Sequence, residues 1–172
     1  MFIEAGSVIT YSITAPVELV KGMSFPASYA YLDDWAVEAI RTIGIEAEHR
    51  SLNDISTSEG KIGGAAQKRL AGGGLLHHAT LAYDIDCGRM AELLRIDQEK
   101  RSDKGITSGA TRVDPLRAHT RLSREAIMDR MIDVFRARHG LVEDQLLPEE
   151  IAEAVALAER KFRCREWIER LP

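Results

Sequence analysis

The chain has 172 residues, a size that suits one domain with its own buried core, and its composition is ordinary for a globular protein. Its net charge of −4 at pH 7 argues against a general nucleic-acid binder. Its apolar runs are far shorter than the roughly 20 residues of a membrane helix, and its first residues lack the pattern of a signal peptide. We therefore expect a single domain over residues 1–172 that binds neither nucleic acid nor membrane.

The two cysteines, Cys87 and Cys164, show neither metal-ligand spacing nor the pattern of a disulfide framework. A reducing, cytoplasmic location is the simplest interpretation. Neither cysteine lies in a motif typical of a nucleophile, so both are interpreted as structural.

The first half of the chain predicts a strand, a helix and a second strand. Alternating β-branched residues predict a strand over residues 7–14, stopped by Pro16. Apolar residues recurring at three and four predict a helix from Ser28 that ends before Gly44. Residues 44–50 are a predicted strand, and the polar stretch 51–60 is a predicted loop.

The second half predicts strands and then helices. Residues 60–71 are interpreted as a loop or short strand, followed by a glycine turn at 72–74, a strand over Leu75–Ile85 and a short helix. A long loop is predicted from residue 95 to 116. Ser123 predicts a helix start and Gly140 its end, while Pro148 predicts the first turn of a last helix with a buried face. The fold class is therefore α/β or α+β, with a mixed sheet packed against helices.

One lysine, Lys61, lies between Gly60 and the pair Gly63 and Gly64. A lysine beside exposed backbone amides is suited to hold an anion, because the ammonium is a compact charge and successive amides form a nest. The spacing does not match a phosphate-binding P-loop. A lysine exposed on a turn is the alternative, and local chemistry alone favours it.

Two adjacent histidines, His77 and His78, lie in a predicted strand. Neighbouring residues of a strand point to opposite faces, so the pair cannot chelate one ion together. We expect one ring to point inward, at a site, and the other outward.

Three blocks of sequence carry a family resemblance when they are taken in order. The stretches GKIGGAAQKR (60–69), LLHHATLAYDID (75–86) and KGITSGATRV (104–113) resemble motifs of the lipoate–protein ligase A family. The loop LNDIS (52–56) and the ending LPEEIAEAVALAERKFRCREW (147–167) resemble that family as well. The resemblance implies a catalytic domain of the biotin/lipoate protein ligase fold without the family's small accessory domain.

The resemblance implies a two-step reaction that uses ATP and Mg²⁺. Lipoate would become lipoyl-AMP, and the lipoyl group would pass to a lysine of a carrier domain, either a 2-oxoacid dehydrogenase E2 or a glycine cleavage H protein. By matching motif, Lys61 would be the catalytic residue. The resemblance assigns no residue as a resident metal ligand.

The resemblance also implies which residues line the site. Asn53 and Asp54 would border the phosphate or magnesium, and Lys61, Gly63, Gly64 and Ala65 would lie close to the adenylate. The remaining expected residues form a pocket wall and a closing loop: His78, Ala79, Thr80, Lys104, Gly105, Ile106, Thr107 and Ser108.

Family members carry about seventy further residues at the front, ending in an Arg-Arg-x-x-Gly-Gly-Gly-x-Val-x-His loop, which have no counterpart in this sequence. The expectation is an N-terminally incomplete domain, with a complementary N-terminal polypeptide as a possible partner. Three alternatives stay open: an octanoyl or lipoyl transferase of the same fold, a non-catalytic partner subunit, and, less favoured, a biotin ligase. The transferases use a cysteine shortly before the lysine motif, and residues 49–60 contain none.

If neither cysteine is a nucleophile, the double change Cys87→Ser, Cys164→Ser leaves transfer activity within about threefold of wild type, under ~1 kcal/mol of barrier. Transfer to a carrier domain is measured by intact mass, with circular dichroism as the control for folding. Loss of transfer in a folded double variant would favour the cysteine-dependent transferase.

Overall fold

The computed structural model describes residues 3–50, 52–93 and 113–170. These residues fall into two compact units, Met1–Gly140 and Leu141–Pro172. Most of the predicted long loop lies outside the described residues, and with it the proposed closing loop, residues 104–108.

The first unit is built on a five-stranded sheet. Its strands are β1 (Val8–Pro16), β2 (Glu48–Arg50), β3 (Asp54–Ser56), β4 (Lys61–Arg69) and β5 (Gly74–Ala82). The order across the sheet is β1-β5-β4-β3-β2, and every neighbouring pair is antiparallel. One isolated parallel bridge joins Lys61 to Val113.

The strands between residues 44 and 69 differ most from the sequence prediction. The glycine-rich stretch is a regular nine-residue strand, because β4 pairs with β5 on one side and with β3 on the other. The predicted loop 51–60 contains β3, and the predicted strand 44–50 is reduced to three residues. Strand β3 owes its hydrogen bonds to the longer β4 on one side and to β2 on the other.

Three helices complete the first unit: α1 (Phe25–Thr42), α2 (Cys87–Leu93) and α3 (Arg124–His139). Helix α1 begins three residues before the predicted start, because the Ser24 side chain accepts the Ala27 N–H and Pro26 occupies the first turn. Helix α3 matches its prediction, with Ser123 as the N-cap and Gly140 at a φ of 71° as the end. Among the described residues, no helix combines the length and apolar character that a membrane crossing requires.

The two faces of the sheet differ in exposure. One face, which we call the helix face, packs against α1 and α3 through a core that includes Ile9, Trp35, Ile40, Leu81, Ile127 and Met131. The other, which we call the open face, carries the alternate residues of β1, β4 and β5. Seven of these are exposed: Thr10, Ser12, Thr14, Pro16, Ala66, Lys68 and Leu76.

The second unit contains α4 (Pro148–Leu157), a π-helical turn (Ala158–Phe162) and α5 (Arg165–Ile168). The start of α4 at Pro148 is as predicted, but the predicted buried face is wrong. Ile151 is 50% exposed, Val155 is 55% exposed, and α4 contains no buried residue. A unit this short has too few side chains to cover an apolar helix face of its own.

The absence of a side chain at Gly63 in β4 leaves room for Leu81 of the neighbouring strand β5. A Cβ at this position would lie 2.5 Å from Leu81 Cδ2 and 3.1 Å from the Thr80 carbonyl oxygen. A Cβ at Gly72, in the turn between β4 and β5, would meet nothing within 4 Å.

Gly63→Ala therefore lowers the free energy of unfolding by ~1–3 kcal/mol, the usual result of overpacking. Gly72→Ala, the matched control, changes it by less than ~0.5 kcal/mol. Urea unfolding followed by circular dichroism measures both. Equal stability of the two variants would contradict the close packing at Gly63.

Candidate functional site

The ammonium of Lys61 is held by a buried carboxylate. Lys61 is the first residue of β4, and its Nζ lies 2.5 Å from Asp54 Oδ1 in β3. The Asp54 side chain is 2% exposed and the Lys61 side chain 24% exposed. A buried carboxylate requires a partner of opposite charge, so Asp54 fixes the direction of the lysine while leaving it reachable from solvent.

Gly64 provides the space in which the lysine lies. Gly64 pairs directly with Asp54, and a Cβ there would lie 2.8 Å from Lys61 Nζ and 2.9 Å from Cε. The lysine side chain therefore runs along its own strand, over Gly64, on the open face. Any side chain at this position would displace the ammonium.

Polar side chains continue from this ion pair across the open face. Thr80 lies opposite Gly64, and His78 lies opposite Ala66. His78 Nδ1 is 3.1 Å from Ser12 Oγ, and its Nε2 is 3.4 Å from Thr80 Oγ1. The open face thus presents a cation, hydroxyls and an imidazole on three adjacent strands.

Other residues that the sequence singled out lie away from this row. Gly63, Ala65 and Ala79 belong to the helix face, where Ala65 is 6% exposed and Ala79 fully buried. The Asn53 side chain donates from Nδ2 to the Ala65 backbone carbonyl at 2.5 Å. The Asn53 backbone carbonyl accepts the Ala65 N–H at 3.0 Å. The structure therefore brings Asp54, Lys61, Gly64, His78 and Thr80 together, whereas these other residues support them from within the sheet.

The nest of free amides that the glycines suggested is absent from the described part of the chain. Gly63 and Gly64 pair with β3 and β5, so their backbone groups are committed to the sheet. The two glycines matter because the absence of a Cβ leaves room for Leu81 beside Gly63 and for the Lys61 side chain over Gly64.

A polar cluster that the sequence did not reveal lies behind Lys61. The Asp114 N–H donates to the Lys61 carbonyl at 2.8 Å. Asp114 Oδ2 lies 2.6 Å from both Thr57 Oγ1 and His119 Nε2. Thr57 and Asp114 are more than fifty positions apart, so no local pattern could have linked them.

The sequence profile described as the lipoyl protein ligase A/B catalytic domain matches residues 2–136, well over half of the chain. The chain belongs to this family.

Solved structures support the same fold for this family member. It is similar to a bi-partite lipoate protein ligase of an archaeal lipoylation system from Thermoplasma acidophilum, with 24% identity and a TM-score of 0.74. A T. acidophilum protein with bound lipoic acid gives 20% identity and 0.74, and a lipoate-protein ligase A bound with ATP gives 20% and 0.72. The ligase matches span 94% of this chain, the lipoic-acid match 96%. At these identities the likeness establishes the fold.

The chain spans less than two thirds of the length of these proteins. It covers 63% of the bi-partite ligase chain, 66% of the protein with lipoic acid and 64% of the ATP-bound ligase. The predicted fold class, a biotin/lipoate ligase catalytic-domain fold, is confirmed.

The two histidines of this ligase-family sheet point to opposite faces, as predicted, and it is His78, not the buried His77, that lies on the open face with the candidate site. His77 is fully buried under the helix face, where its Nε2 lies 2.5 Å from Asp33 Oδ1. Tyr11 donates its hydroxyl to the same oxygen at 2.5 Å. Asp33, in α1, is 1% exposed, so this network ties the main helix to β1 and β5.

The buried phenol of Tyr11 makes the free energy of unfolding decrease at alkaline pH. Burial, and then the charge of Asp33, raise the pKa of Tyr11 well above its usual value of about 10. Because the folded pKa is raised, the contribution is fully present below pH ~10 and is lost as pH rises from there towards the folded value.

We expect the free energy of unfolding to fall above pH ~10, with a slope of up to ~1.4 kcal/mol per pH unit from this group. Tyr11→Phe removes that part of the slope. Tyr31 is an exposed tyrosine of α1, the helix that carries Asp33, and the control variant Tyr31→Phe retains the slope. Urea unfolding at several pH values between 8 and 11 measures the slopes. Identical slopes in wild type and Tyr11→Phe would show that Tyr11 ionises freely.

Proposed function

We propose that this chain is the catalytic domain of an ATP-dependent lipoate–protein ligase. The lipoate carboxylate attacks the α-phosphorus of ATP and pyrophosphate leaves, which forms lipoyl-AMP. A lysine amine of a carrier domain then attacks the lipoyl carbonyl and AMP leaves. The observation that carries the proposal is the Lys61 ammonium, oriented by buried Asp54 on the open face.

Lys61 is suited to stabilise both transition states. An ammonium has three N–H donors, and one is directed at Asp54 Oδ1, so two remain for substrate oxygens. Negative charge develops first at the phosphorus oxygens and later at the carbonyl oxygen. A cation that is already oriented stabilises both without reorganisation.

The rest of the open face supports a site for the acyl chain. Leu76 is 41% exposed there, and small Ala66 lies beside His78. We propose that the lipoyl chain lies along Leu76 and Ala66, with His78 and Thr80 between it and the adenylate end.

For the nucleotide, we propose that Asn53 and Asp54 border the phosphates, that the β4 backbone at Gly63, Gly64 and Ala65 lies close to the adenylate, and that residues 104–108 close over it. Among the described residues, no group of three His, Cys, Asp or Glu side chains is arranged to hold a metal ion. Magnesium commonly binds through one or two carboxylates together with substrate phosphates. Such an ion would therefore enter with ATP, next to Asp54, rather than reside in the protein.

The transferase alternative requires a cysteine nucleophile. Residues 49–60, where the resembling transferases carry it, contain no cysteine. Cys164 belongs to the second unit, and Cys87 Sγ lies 3.6 Å from the carbonyl oxygens of Ile85 and Val113. The positions of the cysteines therefore favour the ligase.

We propose two protein partners: a lipoyl carrier domain and a complementary polypeptide that pairs with β1. The bonds Tyr83 N–H to Ser7 and Val17 N–H to Gly73 direct the odd-numbered backbone groups of β1 to β5. The even-numbered groups therefore point to the outer edge of the sheet. Within the described residues, β1 has only β5 as a strand neighbour, and it carries no charged side chain.

A long, uncharged edge strand is a template for pairing with another strand. A strand added there would extend the open face beside Ser12 and His78. The similarity to a bi-partite ligase supports a two-chain arrangement.

Lys61→Ala tests the proposed catalytic role. We expect lipoate-dependent ATP–pyrophosphate exchange to fall by ~100-fold or more, the usual result of removing a preorganised donor. Lys68→Ala, which removes an exposed lysine of the same strand, changes the rate by less than about threefold, under ~1 kcal/mol.

Exchange is measured with the chain alone and with an added segment carrying the family's Arg-Arg-x-x-Gly-Gly-Gly loop, and carrier lipoylation is followed by intact mass. We expect exchange only, or mainly, when the segment is present. Equal loss in both variants would remove the special role of Lys61, and no exchange with the segment would favour a non-catalytic subunit.

A further inference from the structure

The turn that precedes Lys61 is closed by a backbone hydrogen bond, from the Thr57 N–H to the Gly60 carbonyl at 2.8 Å, and by the Thr57 hydroxyl group. Thr57 Oγ1 accepts the N–H groups of Glu59 at 3.1 Å and Gly60 at 3.3 Å, and donates to Asp114 Oδ2 at 2.6 Å. A threonine hydroxyl has one donor and two acceptor positions, and these bonds use all three. Thr57 is 4% exposed, so its bonds are largely protected from water.

Asp114 joins this turn directly to Lys61. Its carboxylate accepts hydrogen bonds from Thr57 Oγ1 and His119 Nε2. Both distances are 2.6 Å, which is in the short range of charge-assisted hydrogen bonds. Its backbone N–H donates to the Lys61 carbonyl, next to the parallel bridge between Lys61 and Val113. One residue therefore holds both the turn and the backbone of the lysine.

The lysine needs such support because of its place in the sheet. Lys61 is the end residue of β4, and it pairs with Ser56, the last residue of the three-residue strand β3. The register is irregular between Ile55 and Ser56, so strand pairing alone fixes this end weakly. A shift of the Lys61 backbone moves its ammonium away from Asp54 and from the space over Gly64.

We propose that Asp114, together with Thr57 and His119, forms a positioning cluster that fixes the catalytic ammonium of Lys61. None of the three side chains needs to touch substrate, because the cluster acts through the Lys61 backbone. The inference rests on the proposed role of Lys61. A misplacement of about 1 Å in a catalytic group costs up to about 100-fold in rate, so a cluster of this kind has a measurable effect.

The direct test measures where the ammonium lies. Brief treatment with a water-soluble N-hydroxysuccinimide acetate, followed by peptide mass spectrometry, gives the acetylation rate of Lys61 relative to exposed Lys68 in the same sample. In the wild-type chain we expect slow acetylation, because the amine is paired with buried Asp54. Thr57→Val, which keeps the shape and removes the hydroxyl, raises the relative rate about tenfold, equivalent to ~1.4 kcal/mol.

Four further variants interpret that measurement. Asp54→Asn removes the partner charge and sets the rate for a released lysine. Thr57→Ser restores the hydroxyl and should return the rate to within about twofold of wild type, ~0.4 kcal/mol. Thr14→Val makes the same chemical change at an exposed threonine of β1 and leaves the rate unchanged. His119→Ala removes the 25%-exposed partner of Asp114 and raises the rate at least threefold, ~0.65 kcal/mol, which decides the question if Thr57→Val does not fold.

Kinetics give an independent readout in the assembly that carries exchange activity. The cluster positions a group used in the transition state, so Thr57→Val lowers kcat for exchange while KM for ATP changes less than about twofold, ~0.4 kcal/mol.

An acetylation rate of Lys61 that stays at the wild-type value in folded Thr57→Val or His119→Ala overturns the inference. Faster acetylation in a chain that shows no exchange under any condition supports the positioning cluster and removes the proposed function instead. The two hypotheses therefore fail separately.

Discussion

The candidate site depends on one ion pair at the boundary between the sheet and solvent. Asp54 is almost fully buried, and a buried carboxylate without a partner is strongly destabilising. Its partner is a lysine side chain that must cross its own strand to reach it. That path exists only because Gly64 has no side chain, and it begins where Asp114 holds the Lys61 carbonyl. The position of Lys61 Nζ therefore depends on the buried charge of Asp54, on the missing side chain at Gly64 and on the hydrogen bond from Asp114 to the Lys61 backbone.

The two neighbouring glycines of β4 show how one motif meets two separate requirements. Gly63 belongs to the helix face and leaves room for Leu81, whereas Gly64 belongs to the open face and leaves room for the lysine. A glycine pair in a strand usually weakens it. Here the weakness is offset because β4 is an inner strand with neighbours on both sides.

The sequence predicted the elements with strong local signals. Strand β1 and helices α1 and α3 have clear periodicity and capping residues, and the ordered motifs led to Lys61 and to the family. Local signals failed where distant partners decide the structure. Strand β3 exists through its neighbours, and the glycines that suggested a nest of amides for an anion are paired along a strand.

The same limit applies to the polar clusters. Asp33 reads as one more polar residue of an amphipathic helix, yet it is the buried acceptor for Tyr11 and His77. Asp114 precedes a proline in what reads as loop sequence, and only the folded chain brings it to Thr57. Side chains that meet across tens of residues leave no periodic trace in a single sequence.

The alternation of His77 and His78 limits how this strand can change during evolution. A shift of β5 by one residue would place the buried histidine on the open face and the open-face histidine against Asp33, so the buried network and the candidate site would be disrupted together. An insertion within β5 would therefore disturb both the buried histidine network and the open face. The short connection before it, which turns at Gly73 with a φ of 83°, is where the chain can lengthen with neither face disturbed.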